Sequence, residues 1–230
     1  MTAKQASMRG VAQFAVAMAG FCAFINLYSP QSVLPLLSSE FGASAAQVST
    51  IITVSTLAVA ITAPFTGAIA DVLGRKRVIV AAMFVLVIPT LMVALAPTLN
   101  SLIFWRGVQG LVLPPVFAVT VAYIGDEWPP AGATKVTGIY SSASSVGGFS
   151  GRLLVGILAD LVSWRAGFIS LAAIALVGAI AVAFLLPRER GFVRSKGIGS
   201  SLRQMVGHFR NGQLLATYAV GFGVLFNFIA

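Results

Sequence analysis

Long uncharged runs alternate along the chain with short polar or basic stretches, and the runs match the ~20 apolar residues that a bilayer-crossing helix needs. Between Arg9 and Glu40 lie 30 consecutive uncharged residues, which predicts a first span at 11–37, bent near its far end by Pro30 and Pro35. A cleaved signal peptide also starts basic, as this chain does with Lys4 and Arg9. Its apolar core is only ~7 to 15 residues, so retention of the segment is expected. Ser44 and Gln47 have capping-box spacing and open a second span at 46–70. The basic turn Gly74-Arg75-Lys76-Arg77 leads into a third span at 78–96, which stops at Pro97. A fourth, at 99–124, contains Pro114-Pro115 and is closed by Asp126-Glu127-Trp128-Pro129-Pro130. The fifth, at 134–159, is rich in Ser and Gly; after Ser163-Trp164-Arg165 the sixth runs over 166–186 and ends at Pro187.

Beyond the sixth span the pattern changes. The stretch 187–212 is polar and basic, with Leu202, Met205, Val206 and Phe209 at helical spacing, which predicts an interfacial amphipathic helix in a loop. From Gln213 the chain turns apolar again and reaches Ala230 after 18 residues, an incomplete seventh span at 213–230. The expected organisation is therefore a six-span bundle over 1–186, a loop and a partial span.

Composition agrees with this class. Hydrophobic residues make up 58% of the 230 and charged residues 9%, against roughly 25% charged in soluble domains, which excludes both a water-soluble globule and a disordered chain. The net charge of +9 would point to nucleic acid in a soluble protein. Here one set of loops carries Lys4, Arg9, Arg75, Lys76, Arg77, Lys135, Arg188, Arg190, Arg194, Lys196, Arg203 and Arg210, and the other only Arg165. That asymmetry predicts a cytoplasmic amino terminus, and the charge implies no nucleic-acid partner. Cys22 and His208 are the only residues of their kinds, so disulfides and Cys/His metal clusters are unavailable. With no Ser/His, His/Glu or Cys cluster, neither an enzyme nor a cofactor is expected.

The six-span block contains a repeat. Gly67-Ala68-Ile69-Ala70-Asp71-Val72-Leu73 after the second span matches Gly156-Ile157-Leu158-Ala159-Asp160-Leu161-Val162 after the fifth, at an offset of 89 residues. The predicted topology puts the two copies on opposite faces, which makes the repeat inverted, as in transporters that alternate access around a site at the repeat interface.

Intramembrane charge gives the first candidate residues, because an ionisable group at membrane depth is costly. Arg106 in the fourth span and Arg152 in the fifth both lie ~10 to 12 Å below the outer surface by helix rise. Two cations at one level would attract an anionic substrate group or a carboxylate from another segment; snorkelling or bonding to backbone carbonyls would also satisfy them, with Asp160 two turns from Arg152 as a partial counter-ion. Asn26, Tyr28, Gln31 and Gln109 are polar positions that must avoid lipid, and interhelical bonding and ligand contact are both open for them. Spaced small residues in the fifth span, including Ser144/Gly148 and Gly147/Gly151, permit close helix approach.

The pattern Gly67-x-x-x-Asp71-x-x-Gly74-Arg75-Lys76-Arg77 resembles the loop 2-3 motif of the major facilitator superfamily. Arg106-x-x-Gln109-Gly110 is similar to that family's fourth-span motif, and Ser163-Trp164-Arg165 to the usual opening of its sixth span. Gly147-Gly148-x-x-Gly151 sits where antiporter members carry a fifth-span motif, without the expected Pro. Tyr28-x-x-Gln31-x-x-Leu34-Pro35 resembles the first span of efflux permeases near the drug/proton antiporter branch.

The resemblance implies an all-α polytopic membrane protein: a six-helix bundle of two inverted three-helix repeats plus a truncated seventh span. It further implies a bacterial-type inner (plasma) membrane location and export of small molecules in exchange for protons. Gly67 and Asp71 would receive the amino terminus of an eleventh span, and Arg75 would pair with Asp126 or Glu127 in a latch that breaks when the inner gate opens. The plainer reading is that Arg75, Lys76 and Arg77 fix topology. Val72 stands where the family usually has a basic residue. Since the superfamily has twelve spans, the chain is expected either to be part of a longer transporter or to need a second half from a partner chain; the alternative is a non-transporting six-helix bundle. All six acids (Glu40, Asp71, Asp126, Glu127, Asp160 and Glu189) fall at span ends or in loops, so a proton carrier would belong to the other half.

Overall fold

The computed structural model describes residues 3–189 together with 212, 213, 215, 216, 219 and 220. Among these residues the regular structure of the bundle is helical: α1 (Ala3–Tyr28), a 3-10 turn (Ser29–Val33), α2 (Leu34–Phe41), α3 (Ala45–Leu73), α4 (Arg75–Ala94), α5 (Leu99–Glu127), α6 (Pro130–Leu161) and α7 (Trp164–Leu185). Among the described residues five stretches are long and apolar enough to cross a membrane: Arg9–Phe41, which joins α1 to α2, and α3, α4, α5 and α7. The 32-residue α6, with its Ser- and Gly-rich middle, completes the bundle. The protein is an all-α polytopic membrane protein. The amphipathic helix expected within 187–212 and the seventh span at 213–230 fall largely outside the described residues.

Helix ends follow local chemistry. Ser44 accepts from the Gln47 amide and Gln47 Oε1 accepts from the Ser44 amide at 2.8 Å, the reciprocal box its spacing predicts. Thr98 caps α5 by accepting from the Ser101 amide, and Ser163 caps α7 by accepting from the Ala166 amide, each at 3.2 Å. Gly74 separates α3 from α4 at φ +93°, a conformation that L side chains rarely adopt. Several helices run about a turn beyond the apolar runs: α3 reaches Leu73, α4 starts at Arg75 and α5 continues to Glu127. Backbone hydrogen bonding outlasts hydrophobicity at a water-facing helix end. The first span is two helices rather than one, because Pro30 falls in the 3-10 turn between them and Pro35 sits in the first turn of α2.

The most extensive packing pairs the second span with the fourth (α3 on α5) and the first with the fifth (α1 on α6); the third then packs on both the fourth (α4 on α5) and the sixth (α4 on α7). Exchanging each span with its repeat equivalent turns the α3–α5 and α1–α6 pairings into each other and returns the α4–α7 pairing to itself. A Cβ on Gly110 would strike the Ser55 carbonyl and come within 2.8 Å of the Ala58 Cβ. Subtracting 89 from Gly110 gives Phe21, and adding 89 to Ala58 gives Gly147; a Cβ on Gly147 would lie 2.5 Å from the Phe21 carbonyl oxygen. One close contact is thus built twice, once in each orientation.

The core forms two apolar clusters. One surrounds Met83, Leu113, Tyr123, Trp128 and Leu186 toward the Arg75 end, and the other surrounds Leu37, Ile51, Trp164 and Phe168 toward the Glu40 end. These ends are opposite, since the 29 residues of α3 separate them by ~44 Å of helix rise.

Candidate functional site

A buried polar knot lies where the two apolar clusters meet, and it starts from the break in the first span. Pro30 has no N–H, so the Asn26 carbonyl four residues earlier lacks its α-helical donor. From α5, Arg106 Nη1 donates to the Asn26 carbonyl and Nη2 to the Leu27 carbonyl, each at 3.1 Å. Ser29 Oγ also donates to the Asn26 carbonyl, at 3.2 Å. Arg106 Nη1 bonds Gln109 Oε1 one turn on, while Gln109 Nε2 donates to Asn26 Oδ1 at 3.2 Å and to Thr90 Oγ1 at 2.8 Å. Thr90 Oγ1 lies 2.9 Å from Asn26 Oδ1, and Asn26 Nδ2 donates to the Cys22 carbonyl at 2.8 Å. Asn26, Thr90, Arg106 and Gln109 are fully buried. Of the residues expected to line a cavity, Asn26, Arg106 and Gln109 therefore bond one another inside the bundle. Thr90 was not legible beforehand, as a lone Thr in an apolar run carries no local signal.

Of the remaining cavity candidates, Tyr28 and Arg152 line an open cleft of about 430 Å³ between α1 and α6. Its lining is mostly aromatic and hydroxylic: Phe24, Tyr28, Tyr140 and Phe149 with Ser141, Ser144 and Ser145, and Gly148 and Arg152. Gly148 makes room for the Tyr28 ring, whose Cδ2 would be 2.9 Å from a Cβ there. The Arg152 guanidinium carbon stands 4.8 Å from the centroid of that ring, and its Nε donates to Gln31 Oε1 at 2.6 Å. Tyr28, Gln31 and Arg152 thus come together, whereas Arg106 is in a different environment. Equal depth along two helices says nothing of the face on which each residue falls.

At one end of the bundle Arg75 Nη2 pairs with Asp126 Oδ2 at 2.9 Å and lies 3.7 Å from Asp71 Oδ1. The Asp71 side chain is 44% exposed, against 18% for Arg75, and a Cβ on Gly67 would meet nothing within 4 Å, so this face of α3 is open. Glu127 is half-buried beside Asp126. Glu189, beyond the sixth span, returns to this loop: its Oε2 accepts from the Lys76 amide at 3.4 Å, a carboxylate at the α4 amino terminus. Tyr123 donates to the Pro187 carbonyl at 3.0 Å and ties the same segment to α5. Lys76, Arg77, Arg188 and Glu189 line a groove of about 360 Å³ there. Glu189 lies 113 residues from Lys76, so no sequence spacing could have joined them.

The opposite end carries the repeat-related pair. Glu40 Oε1 accepts from Arg165 Nη1 at 2.6 Å, its other oxygen accepts from Trp164 Nε1, and the Arg165 guanidinium stacks 4.3 Å from the Trp164 ring centroid. Arg75–Asp126 joins the start of the third span to the end of the fourth; Arg165–Glu40 joins the start of the sixth to the end of the first.

Comparison with known proteins agrees with this architecture. The Inner membrane transport protein YnfM of Escherichia coli K12 is 34% identical over 230 residues, which cover 96% of this chain and 54% of that protein. The Multidrug export protein EmrB of Haemophilus influenzae is 27% identical over 150 residues, 65% of this chain and 29% of that one. A crystal structure of the peptide transporter POT in complex with sulfate superposes with a TM-score of 0.71 at 16% identity, covering 93% of this chain and 45% of that one, a likeness of fold. The chain spans about half the length of the curated relatives it matches. The sequence pattern of the Major Facilitator Superfamily matches residues 16–230, and the chain belongs to that family of transporters.

Proposed function

We propose that this chain forms one half of a secondary active transporter that exports small molecules from the cytoplasm in exchange for protons. The carrying observation is the inverted packing of the two three-span units, in which the Gly110–Ala58 contact recurs as Gly147–Phe21. Such a repeat gives a bundle two closely related conformations about one site, the requirement for alternating access. Export is favoured by the likeness to a multidrug export protein, and an inner-membrane location by the likeness to the inner membrane transport protein. The excess of Lys and Arg at the Arg75 end supports a cytoplasmic position for that end and for the amino terminus. Arg75 and Asp126 then form the inner latch, and the open face at Gly67 and Asp71 receives a segment of the second half. The exchanged proton is carried by a carboxyl of that half, since the acids of this bundle stand at its ends.

That open face also supports a second reading, in which the six-span bundle by itself folds but does not transport. Accumulation of radiolabelled small molecules in cells expressing the complete gene product, compared with cells expressing residues 1–230, tests both. Saturable, protonophore-sensitive export by the complete product supports the first. No export by either, with both proteins in the membrane, supports the second.

A further inference from the structure

We propose that the cleft between α1 and α6 binds a small aromatic anion, with its ring among Phe24, Tyr28 and Phe149 and its carboxylate on Arg152. The proposal rests on the transporter reading for its biological meaning, and names the substrate class of that transporter. At about 430 Å³ the cleft has the size of small-molecule sites, which span ~300 to 1,000 Å³, and holds a fused bicyclic ring with its substituents.

Arg152 is the sole charged residue in the lining. Gln31 takes its Nε and Tyr28 lies beneath its plane, so the guanidinium is held in position from two sides. Among the described residues no carboxylate pairs with it, and none bonds its two terminal nitrogens. A guanidinium held by one edge presents the remaining N–H groups as a fork that fits a carboxylate with two parallel bonds. An uncompensated cation at membrane depth is costly, and an anion in the cleft removes that cost. The rest of the lining selects the body of the ligand. Rings of Phe24, Tyr28, Tyr140 and Phe149 offer stacking and edge contacts to another ring. A cationic ligand would meet Arg152 with like charge, and a neutral one would leave the fork unpaired.

A phosphate headgroup of an anionic lipid offers the fork the same oxyanion chemistry, so the test separates the two sources. Binding of radiolabelled 2-naphthoate to the purified 230-residue chain is measured in dodecyl maltoside by equilibrium dialysis, beside 2-naphthamide and 2-naphthylmethylamine. The expected result is saturable binding of one naphthoate per chain, with the amide and amine weaker by about tenfold or more. Arg152→Gln should lose at least about tenfold in naphthoate affinity, and Tyr28→Leu should weaken it. Should Arg152→Gln fail to elute as a single species, Arg152→Lys stands in; it retains charge but lacks the fork, and is expected to bind several-fold more weakly.

Equal affinity for acid and amide, non-saturable uptake, or wild-type affinity in the Arg152 variant would overturn the proposal. Phosphatidylglycerol that displaces naphthoate while phosphatidylcholine does not would also overturn it, assigning the site to lipid. The assay needs neither a gradient nor a second half. A transporter that exports other compounds but whose cleft ignores naphthoate defeats this inference alone; naphthoate binding without transport by the complete gene product defeats the functional reading alone.

Discussion

Arg106 donates to the Asn26 carbonyl at 3.1 Å, the oxygen whose α-helical donor Pro30 removes. A cation on one helix thereby completes the backbone of another, and Gln109, Asn26 and Thr90 close the knot around it. Removing one member leaves buried polar groups without partners, which costs more than the bond itself contributes.

Arg106→Ala is accordingly expected to lower bundle stability by about 3 kcal/mol or more, because several buried acceptors lose their donors together. Arg106→Lys should recover only part of this, as an ammonium cannot reach both carbonyls with the geometry of a planar fork. Cys22 is the only cysteine and is buried, so the temperature at which a thiol-reactive dye labels it reports unfolding directly. An unchanged labelling temperature in Arg106→Ala would show that the knot contributes nothing.

The close approaches at Gly110 and Gly147 predict paired effects. Gly110→Ala and Gly147→Ala each force a methyl against a neighbouring backbone carbonyl, and each should cost ~1 to 3 kcal/mol in the same labelling assay. Gly67→Ala, with nothing within 4 Å, should leave the stability of the isolated chain unchanged. In the complete gene product the same substitution should impair transport, if a helix of the second half closes on this face.

Stability and transport should separate at the latch. Arg75 and Asp126 are partly exposed, so Arg75→Gln or Asp126→Asn should shift stability by less than about 1 kcal/mol, and less again in high salt. Transport should nonetheless fall in both, and the exchange of Arg75→Asp with Asp126→Arg should restore part of it. Equal rates in the single variants and wild type would reduce the pair to a topology signal.

Much of the bundle could be read from the residues because its determinants are local. Apolar run length, the Ser44/Gln47 box and the proline positions define the helices, and the 89-residue offset carries the pseudo-symmetry that packs them. The Arg75–Asp126 pair was foreseeable, since both residues had to emerge at one end of the bundle. The division of the polar candidates was not: helix rise alone puts Arg106 and Arg152 at one level, but helix rotation and the break at Pro30 turned one into the bundle and the other to the cleft. Glu189 and Thr90 meet their partners across long sequence separations, where spacing carries no information.

The most direct test of the transporter reading is substrate-triggered proton movement in everted membrane vesicles that contain the complete gene product. A proton gradient is established by respiration, followed with a pH-sensitive fluorophore, and challenged with a panel of small molecules that includes aromatic acids. The reading predicts saturable dissipation by at least one compound, and loss of about tenfold or more of that rate in Asp71→Asn at equal protein level. A gradient that no compound disturbs, or an Asp71→Asn variant that runs at the wild-type rate, would contradict it.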